Sequence, residues 1–274
     1  MTLSSLYTPG KKLVVTTFIV ASGLVIVLYL NQNRLIFPAP SGIQPQAIHP
    51  SFKTVSISTP DGETLFALHH PAEVNEATIL VFHGNGDAAL FQQPKGSSLA
   101  QAGFGVLLVE YRGYPGSTGK PSEKGLLIDG LAAFDFIRSG NGGAIGVYAS
   151  SLGTGIAIPL AAERDVFAMV LESPFDSIQA IAQNAFPWIP ISLLLKHKFR
   201  SDDVIGRVNT PLLLIHGSAD SVIPIEHGKA LFDLAPKGSR FMEVPGAGHN
   251  NLSLFGTTDA AIRFFRETLG IEQS

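Results

Sequence analysis

Short apolar runs alternate with longer amphipathic stretches over most of the chain beyond residue 50. Such runs predict strands that are covered on both faces, because both sides of the strand then need apolar side chains. The predicted strands are 77–82, 104–110, 144–148, 167–172, 211–216 and 240–244, with helices near 88–102, 122–138, 151–163, 224–235 and 256–269. A turn sequence, Thr-Pro-Asp-Gly, between 52–58 and 63–69 predicts a hairpin before them. The pattern indicates one α/β domain over 51–274, with a doubly wound, mostly parallel sheet.

The N-terminal part of the chain has a different pattern. Leu13 to Leu30 is a run of 18 uncharged, mostly apolar residues. As a helix it spans about 27 Å, close to the roughly 30 Å hydrocarbon core of a bilayer. We therefore expect a transmembrane anchor over 13–31 and a juxtamembrane linker over 32–50.

Charges around this run predict its orientation. Lys11 and Lys12 stand directly before it, whereas the first charge after it is Arg34. This arrangement favours a cytosolic N-terminus over 1–12, with the α/β domain on the extracytoplasmic side of the membrane. The alternative is a cleaved signal peptide and a secreted domain, although the apolar region of such a peptide is usually about 7–15 residues long.

A pair of serines joins one predicted strand to a predicted helix. Ser151 has Ala149 two residues before it and Gly153 two residues after it, whereas Ser150 has a tyrosine and a leucine there. Small neighbours permit a tight strand–turn–helix that exposes one serine oxygen, so Ser151 is the candidate nucleophile. The alternative is an ordinary helix with a serine N-cap.

Two acid–base residues follow predicted strands downstream of Ser151. Asp220 lies in the loop after 211–216, and His249 lies in the loop after 240–244. The carboxyl ends of parallel strands meet at one edge of a sheet, so the three side chains are expected to converge there. A serine hydroxyl needs a base, and the base needs an orienting acid, so Ser151, His249 and Asp220 predict a catalytic triad.

Two other acids compete with Asp220 for the orienting role. Glu172 and Asp176 follow the strand after the serine motif, a position that also suits such an acid. We favour Asp220 because of its loop, whereas Asp176 begins the next segment. Arg112 is expected to pair with an internal acid such as Asp87 or Glu110.

The first parallel strand ends in a glycine-rich turn, His83–Asp87. Such a turn can present a backbone N–H group to the negative charge that develops on a substrate oxygen. By position, the N–H groups of Asn85 and of Leu152, the residue after the nucleophile, are the expected oxyanion-hole donors.

Five motifs occur in a fixed order along the chain. They are His83–Gly86, Tyr111–Ser117, Ala149–Gly153, His216–Pro224 and Gly248–His249. Together they resemble the alpha/beta-hydrolase-fold serine hydrolases, in particular the membrane-anchored branch of the abhydrolase-domain proteins. The resemblance covers most of the chain beyond residue 50 and implies that fold, a Ser–Asp–His triad and no cofactor. Ala149 departs from the glycine that is usual at its position.

Residues 173–209 interrupt the alternation of strands and helices; we call them the lid insert, because hydrolases of this kind carry a lid there. The insert is predicted to be short and helical, with Phe186, Trp188 and Leu194 lining a substrate pocket for an acyl group or touching a bilayer. The alternative is simple packing of a small helical segment on the sheet.

Composition excludes several other kinds of site. The chain has no cysteine, which excludes disulfides and thiolate metal sites, and no histidine pair has metal-ligand spacing. A catalytic metal is therefore not expected. The net charge is −3, with scattered charges and no basic patch, so a nucleic-acid partner is not expected either.

These features predict a serine hydrolase that cleaves an ester or thioester with an apolar acyl group, through an acyl-enzyme. The substrate would be a small-molecule ester or a lipid-like ester. A serine peptidase or amidase with the same triad is one alternative. A catalytically inactive, membrane-tethered binding protein is another, although such proteins usually lack a triad residue.

Overall fold

In the computed structural model, residues 9–40, 48–73, 76–140 and 143–271 are described, and eight strands of this part of the chain form one sheet. They are β1 (Lys53–Ser58), β2 (Thr64–His70), β3 (Thr78–Phe82), β4 (Gly105–Val109), β5 (Ile145–Ser150), β6 (Met169–Glu172), β7 (Leu212–Gly217) and β8 (Arg240–Val244). The spatial order is β1-β2-β4-β3-β5-β6-β7-β8. The hairpin β1–β2 and the β2–β4 pair are antiparallel, and the pairs from β4 to β8 are parallel.

Helices cover both faces of this sheet. They are α1 (Pro9–Ile36), α2 (Gln93–Gln101), α3 (Glu123–Gly140), α4 (Thr154–Glu163), α5 (Ile178–Ala185), α6 (Ile191–Leu194), α7 (Ile225–Asp233) and α8 (Thr257–Leu269). Leu107 of β4 packs into the core under α3 and α4, and its neighbour Leu108 packs into the core under α2 and α8. Two opposite cores explain why the central strands are apolar at most positions.

The predicted fold is confirmed as an α/β sheet with strand ends that shift by at most two residues. The predicted helix start near residue 88 differs more, because a 3₁₀ turn over Ala89–Gln92 precedes α2. Likewise, a 3₁₀ turn over Ser151–Gly153 precedes α4.

Helix α1 continues to Ile36, five residues beyond the predicted end of the anchor at residue 31. Its part from Leu13 to Ile36 is long and apolar enough to cross a membrane, by length and composition. Within the expected linker, Gln32 and Phe37 are buried, and the Phe37 ring packs 6.0 Å from that of Phe199. The linker thus begins as a helix docked on the domain. Residues 1–8 of the expected cytosolic segment and 41–47 of the linker lie outside the described residues.

The lid insert has a packed base and an exposed top. Phe175, Phe199 and Val208, near its two ends, are buried in the core of the domain. In contrast, α5 has no buried residue and α6 has one, Ile191. The two helices of the insert are therefore only partly buried, and α5 rests on the core through Ile178 and Ile181.

Candidate active site

Ser151 occupies a sharp turn between β5 and α4. Its φ is 50°, a left-handed conformation that is strained for a residue with a side chain. The turn has no room for a side chain at Gly153, since a Cβ atom there would lie 2.6 Å from the carbonyl oxygen of Phe82. The methyl group of Ala149 is fully buried in the core, so this departure from glycine is accommodated. The backbone has the strained strand–turn–helix geometry expected of a nucleophile elbow.

Loops after β5, β7 and β8 bring Ser151, Asp220 and His249 into contact. His249 Nε2 lies 3.0 Å from Ser151 Oγ, and His249 Nδ1 lies 2.7 Å from Asp220 Oδ2. An ionised carboxylate can only accept, so the proton belongs on Nδ1, and Nε2 is left to accept from the serine hydroxyl. Three residues that span 98 positions of sequence thus form one hydrogen-bonded relay.

Asp220 is held by the protein on all sides. Its Oδ1 accepts from two backbone N–H groups of the following turn, and its Oδ2 also accepts from the Ser173 hydroxyl at 2.9 Å. Burial by itself would raise the pKa of Asp220. Hydrogen bonds from His216 and His249, and from the N–H of Ile223, outweigh burial and hold this pKa well below its ordinary value. Asp220 is therefore ionised at neutral pH and fixed in orientation.

The two competing acids are engaged elsewhere. Asp176 Oδ1 accepts from His227 Nδ1 at 2.8 Å, at the base of the lid insert. Glu172 bonds on both carboxylate oxygens to side chains that lie beside Ser150. The geometry around His249 thus favours Asp220 as the orienting acid.

The glycine-rich turn after β3 passes next to Ser151. A Cβ atom on Gly84 would lie 3.4 Å from the Ser151 Cβ, and Asn85 lines the same cavity as Ser151. Leu152 is buried directly after Ser151. This placement is consistent with N–H groups of Asn85 and Leu152 as oxyanion donors, an assignment that stays a prediction.

Buried polar groups hold that turn in place. His83 Nε2 lies 2.8 Å from Glu110 Oε1, and the Tyr111 hydroxyl donates to the His83 carbonyl at 2.7 Å. Glu110 Oε2 accepts from the N–H of Ala89 at 3.0 Å. The turn next to Ser151 is therefore braced by the two residues that follow β4, one of which also bonds to the start of the 3₁₀ turn before α2.

A cavity of about 770 Å³ opens over Ser151. Its lining is mainly polar and includes Asn85, Gln92, Lys95, Ser98, Asn250 and Ser253. Phe91, Pro94 and Leu252 add an apolar share. A cavity of this size and character suits a substrate with a polar group next to the reacting carbonyl.

The structure places the three expected pocket residues away from this cavity. Trp188 is 78% exposed, and Phe186 and Leu194 line a separate apolar groove against α1. These three side chains therefore do not line the cavity over Ser151, and their role in a substrate pocket stays a prediction. The top of the lid insert packs toward the N-terminal helix, a contact that the sequence pattern did not reveal.

Comparisons with known proteins place the chain in a family. A family model described as serine aminopeptidase, S33, matches residues 73–203. An uncharacterised protein of Mycobacterium tuberculosis is 33% identical over 265 residues, which cover 93% of this chain and 94% of that protein. The alpha/beta hydrolase domain-containing protein aho-3 of Caenorhabditis elegans is 36% identical over 202 residues, 71% of this chain and 59% of that protein. The chain belongs to the alpha/beta-hydrolase family.

Solved structures agree with this assignment at the level of the fold. An esterase of Pyrococcus furiosus matches with a TM-score of 0.68 at 19% identity, over 84% of this chain and 97% of the esterase. The resemblance to abhydrolase-domain proteins and the predicted fold are both confirmed, and the protein is a hydrolase.

This alpha/beta hydrolase also contains an ion pair next to Ser150, nearly buried, that the sequence did not reveal. Lys95 Nζ, from α2, lies 2.8 Å from Glu172 Oε2 and 3.0 Å from Ser150 Oγ. The Tyr148 hydroxyl donates to Glu172 Oε1 at 2.7 Å, as does Thr257 at 2.8 Å. Burial would raise the pKa of Glu172, but the charge of Lys95 and these hydrogen bonds hold it below its ordinary value.

Replacing Glu172 with glutamine is expected to destabilise the fold by about 3 kcal/mol at pH 7, because Lys95 loses its partner in a nearly buried site. The folded-state pKa of Glu172 lies below its ordinary value of 4.5. Its ionised form therefore stabilises the fold above that pH, and the stabilisation is lost as the pH falls through the folded-state pKa. Urea unfolding of the full chain in detergent at several pH values measures the difference.

The matched control for this experiment is Glu226→Gln, because Glu226 is exposed on α7. Its effect should stay within about 0.5 kcal/mol. A Glu172→Gln protein as stable as the parent at pH 7 would contradict the importance of the ion pair.

Proposed function

We propose that this hydrolase is a serine esterase, which cleaves carboxylic ester or thioester bonds through an acyl-enzyme. The observation that carries the proposal is the continuous relay from Ser151 through His249 to Asp220 at the floor of an open cavity. The esterase among the structural neighbours supports the same reaction class.

In the first half of the reaction, Ser151 Oγ attacks the carbonyl carbon and its proton moves to His249 Nε2. Asp220 stabilises the resulting imidazolium through the bond to Nδ1. The N–H groups of Asn85 and Leu152 donate to the oxyanion of the tetrahedral intermediate. When this intermediate collapses, His249 Nε2–H protonates the leaving alcohol or thiol, and the acyl group stays on Ser151.

In the second half, water takes the place of the leaving group. His249 accepts a proton from the water, whose oxygen attacks the acyl carbon. The second tetrahedral intermediate collapses as Ser151 Oγ leaves and regains its proton from His249. The products are a carboxylic acid and the free enzyme, so the cycle needs no metal or cofactor.

The lining of the cavity and the N-terminal helix indicate which kind of ester the enzyme accepts. The polar lining around Ser151 suits an ester whose head group carries hydroxyl or other polar groups, and the cavity is large enough for a lipid head group. Helix α1 would hold the enzyme in the membrane as a single-pass anchor with a cytosolic N-terminus, as the flanking lysines favour.

Amide hydrolysis is the second candidate, because the matching family model is described as a serine aminopeptidase. A triad serves both reactions, so the leaving group has to be tested directly. The test is an activity screen of the full chain over p-nitrophenyl esters, acyl thioesters, monoacylglycerols and aminoacyl amides, with the Ser151→Ala protein as control. Turnover of aminoacyl amides alone would reject the esterase; absence of both turnover and fluorophosphonate labelling would favour an inactive binding protein.

The oxyanion assignment has a test of its own. Replacing Asn85 with proline removes its N–H group and is expected to lower kcat by about 10²- to 10³-fold, since one oxyanion donor is lost. Asn85→Ala keeps the N–H group and should retain most of the activity. Steady-state kinetics on one p-nitrophenyl ester, with circular dichroism to verify folding, distinguish the two. Equal losses in both variants would move the donor role from the backbone to the Asn85 side chain.

A further inference from the structure

A narrow apolar groove of about 180 Å³ runs between α1 and the lid insert. On the helix side, Val25, Leu28 and Ile36 contribute to the lining, with spacing that puts them on one face of α1. On the lid side, α5 contributes Ile178 and Ala182, and the turn after it contributes Phe186. The groove is unrelated to the polar cavity over Ser151, with which it shares no lining residue.

Specific hydrogen bonds fix the lid insert against α1. Gln32 is buried at the contact, and its Oε1 accepts from the N–H of Lys196 at 2.8 Å. Lys196 Nζ lies 4.6 Å from the centre of the Tyr29 ring, a cation–π contact. His197 Nε2 and Asn33 Oδ1 lie 3.2 Å apart. The position of the lid insert along α1 is therefore defined, at the level of Tyr29 to Asn33.

The length of α1 then determines how deep in the membrane the groove lies. The apolar part from Leu13 to Ile36 has 24 residues. It spans about 36 Å, about 6 Å more than the hydrocarbon core of a bilayer. Whichever end of the segment protrudes, Val25 and Leu28 remain inside the hydrocarbon. A lid insert that packs beside these two residues must itself enter the membrane.

The exposed top of the lid insert has the composition that this position requires. Trp188 is 78% exposed and Leu193 is 83% exposed. The Gln183 amide donates to the carbonyl groups of Phe186, Pro187 and Ile189 at 3.2 to 3.3 Å. Backbone carbonyls that face lipid need such internal partners, because no water is available there. Tryptophan is also enriched at membrane interfaces.

We propose that the lid insert enters the bilayer beside α1 and that the groove holds one acyl chain of a membrane phospholipid. An apolar groove that faces hydrocarbon is filled by lipid chains, since water gains no hydrogen bonds there. Arg34 and Lys196 are exposed and directly precede or follow the groove residues Leu35 and Leu195, so their charges would complement the phosphate of the same lipid. The inference rests on the proposed membrane anchoring and adds that the hydrolase domain sits directly on the membrane surface.

Trp188 is the sole tryptophan of the chain, so its fluorescence reports on the lid insert alone. The experiment places the full chain in phosphatidylcholine vesicles whose acyl chains carry bromine, a contact quencher. The expected result is a blue-shifted emission, loss of most of the intensity with brominated lipid, and protection from aqueous iodide. Emission at the wavelength of tryptophan in water, quenched by iodide and unaffected by bromine, would overturn the proposal.

Photo-crosslinking tests the groove itself. Phosphatidylcholine with a diazirine on one acyl chain is expected to label peptides of α5 and of the Val25–Ile36 part of α1. Ala182→Phe fills the groove and should lower the labelling of α5 severalfold while labelling near Leu13 persists. Ala185→Phe is the matched control, because Ala185 is exposed on the same helix and does not line the groove.

The pattern of labelling shows whether this proposal or the proposed function has failed. Lipid labelling of α1 near Leu13 and probe labelling of Ser151, without labelling of α5, would overturn the lid insertion and leave the membrane esterase standing. Protein–protein cross-links at the lid insert in place of lipid adducts would assign the groove to a second copy of the chain and also overturn the proposal. Absence of lipid labelling along α1 would reject the anchor as well.

Discussion

Ser151→Ala is expected to lower kcat on p-nitrophenyl esters by about 10⁴- to 10⁶-fold, the range found when a triad nucleophile is removed. The reason is that the Ser151 hydroxyl forms the acyl-enzyme bond. A water molecule that takes its place is not positioned by the turn or by a hydrogen bond to His249. Covalent labelling by a fluorophosphonate probe should disappear in the same variant. Labelling followed by mass spectrometry, together with steady-state kinetics, measures both effects.

Ser150→Ala is the matched control, because Ser150 is the last residue of β5 and directly precedes Ser151. Its hydroxyl lies between Lys95 and Glu172, facing the buried ion pair and not His249. The Ser150→Ala protein should still be labelled on Ser151. Labelling that survives in Ser151→Ala and disappears in Ser150→Ala would show that the wrong serine of the pair has been assigned.

The sheet could be predicted from the sequence because it is encoded by local signals. Short apolar runs such as Leu212–Ile215 are typical of strands that are covered on both faces. The tight turn at Ser151 could also be predicted from the sequence, because it needs a small residue at position 153. A Cβ atom on Gly153 would lie 2.6 Å from the carbonyl oxygen of Phe82. Three loops at one edge of a parallel sheet then bring Asp220 and His249 to Ser151 by topology alone.

Contacts between elements that are distant in sequence could not be predicted from these local signals. Arg112 was expected to pair with Asp87 or Glu110, but its guanidinium bonds to Asp61 at 2.7 Å and to Asp129 at 2.8 Å. The nature of the interaction was correct and the partners were wrong, because nearby positions in sequence do not determine which carboxylates reach a buried cation.

The lid insert shows the same limit on a larger scale. Its apolar residues predicted a wall for the substrate, because sequence composition cannot tell one apolar contact from another. The structure turns Phe186 and Leu194 toward α1 and leaves a mainly polar cavity over Ser151. Under the proposed membrane anchoring, a mainly polar cavity would suit an ester whose head group lies in the cavity while its chain starts in the membrane.

Asp220→Asn is the prediction that tests the architecture of the relay and not only its nucleophile. The expected loss in kcat is about 10⁴-fold, because an asparagine amide can donate to Nδ1 and so favours the tautomer with the proton on Nε2. In that tautomer, His249 cannot accept the proton of Ser151. Substrate binding does not use this carboxylate, so KM should change little, and circular dichroism should show an unchanged fold.

The two other acids supply the decisive comparison for Asp220. Asp176→Asn, which alters the contact with His227, should retain most of the activity. Glu172→Gln should lower stability but keep turnover per folded molecule, counted by burst titration of the nucleophile. If Glu172→Gln loses turnover while Asp220→Asn keeps it, the orienting acid lies at the end of β6 and the assignment to the loop after β7 is wrong. The distance of 2.7 Å between Asp220 Oδ2 and His249 Nδ1 is the reason to expect the opposite result.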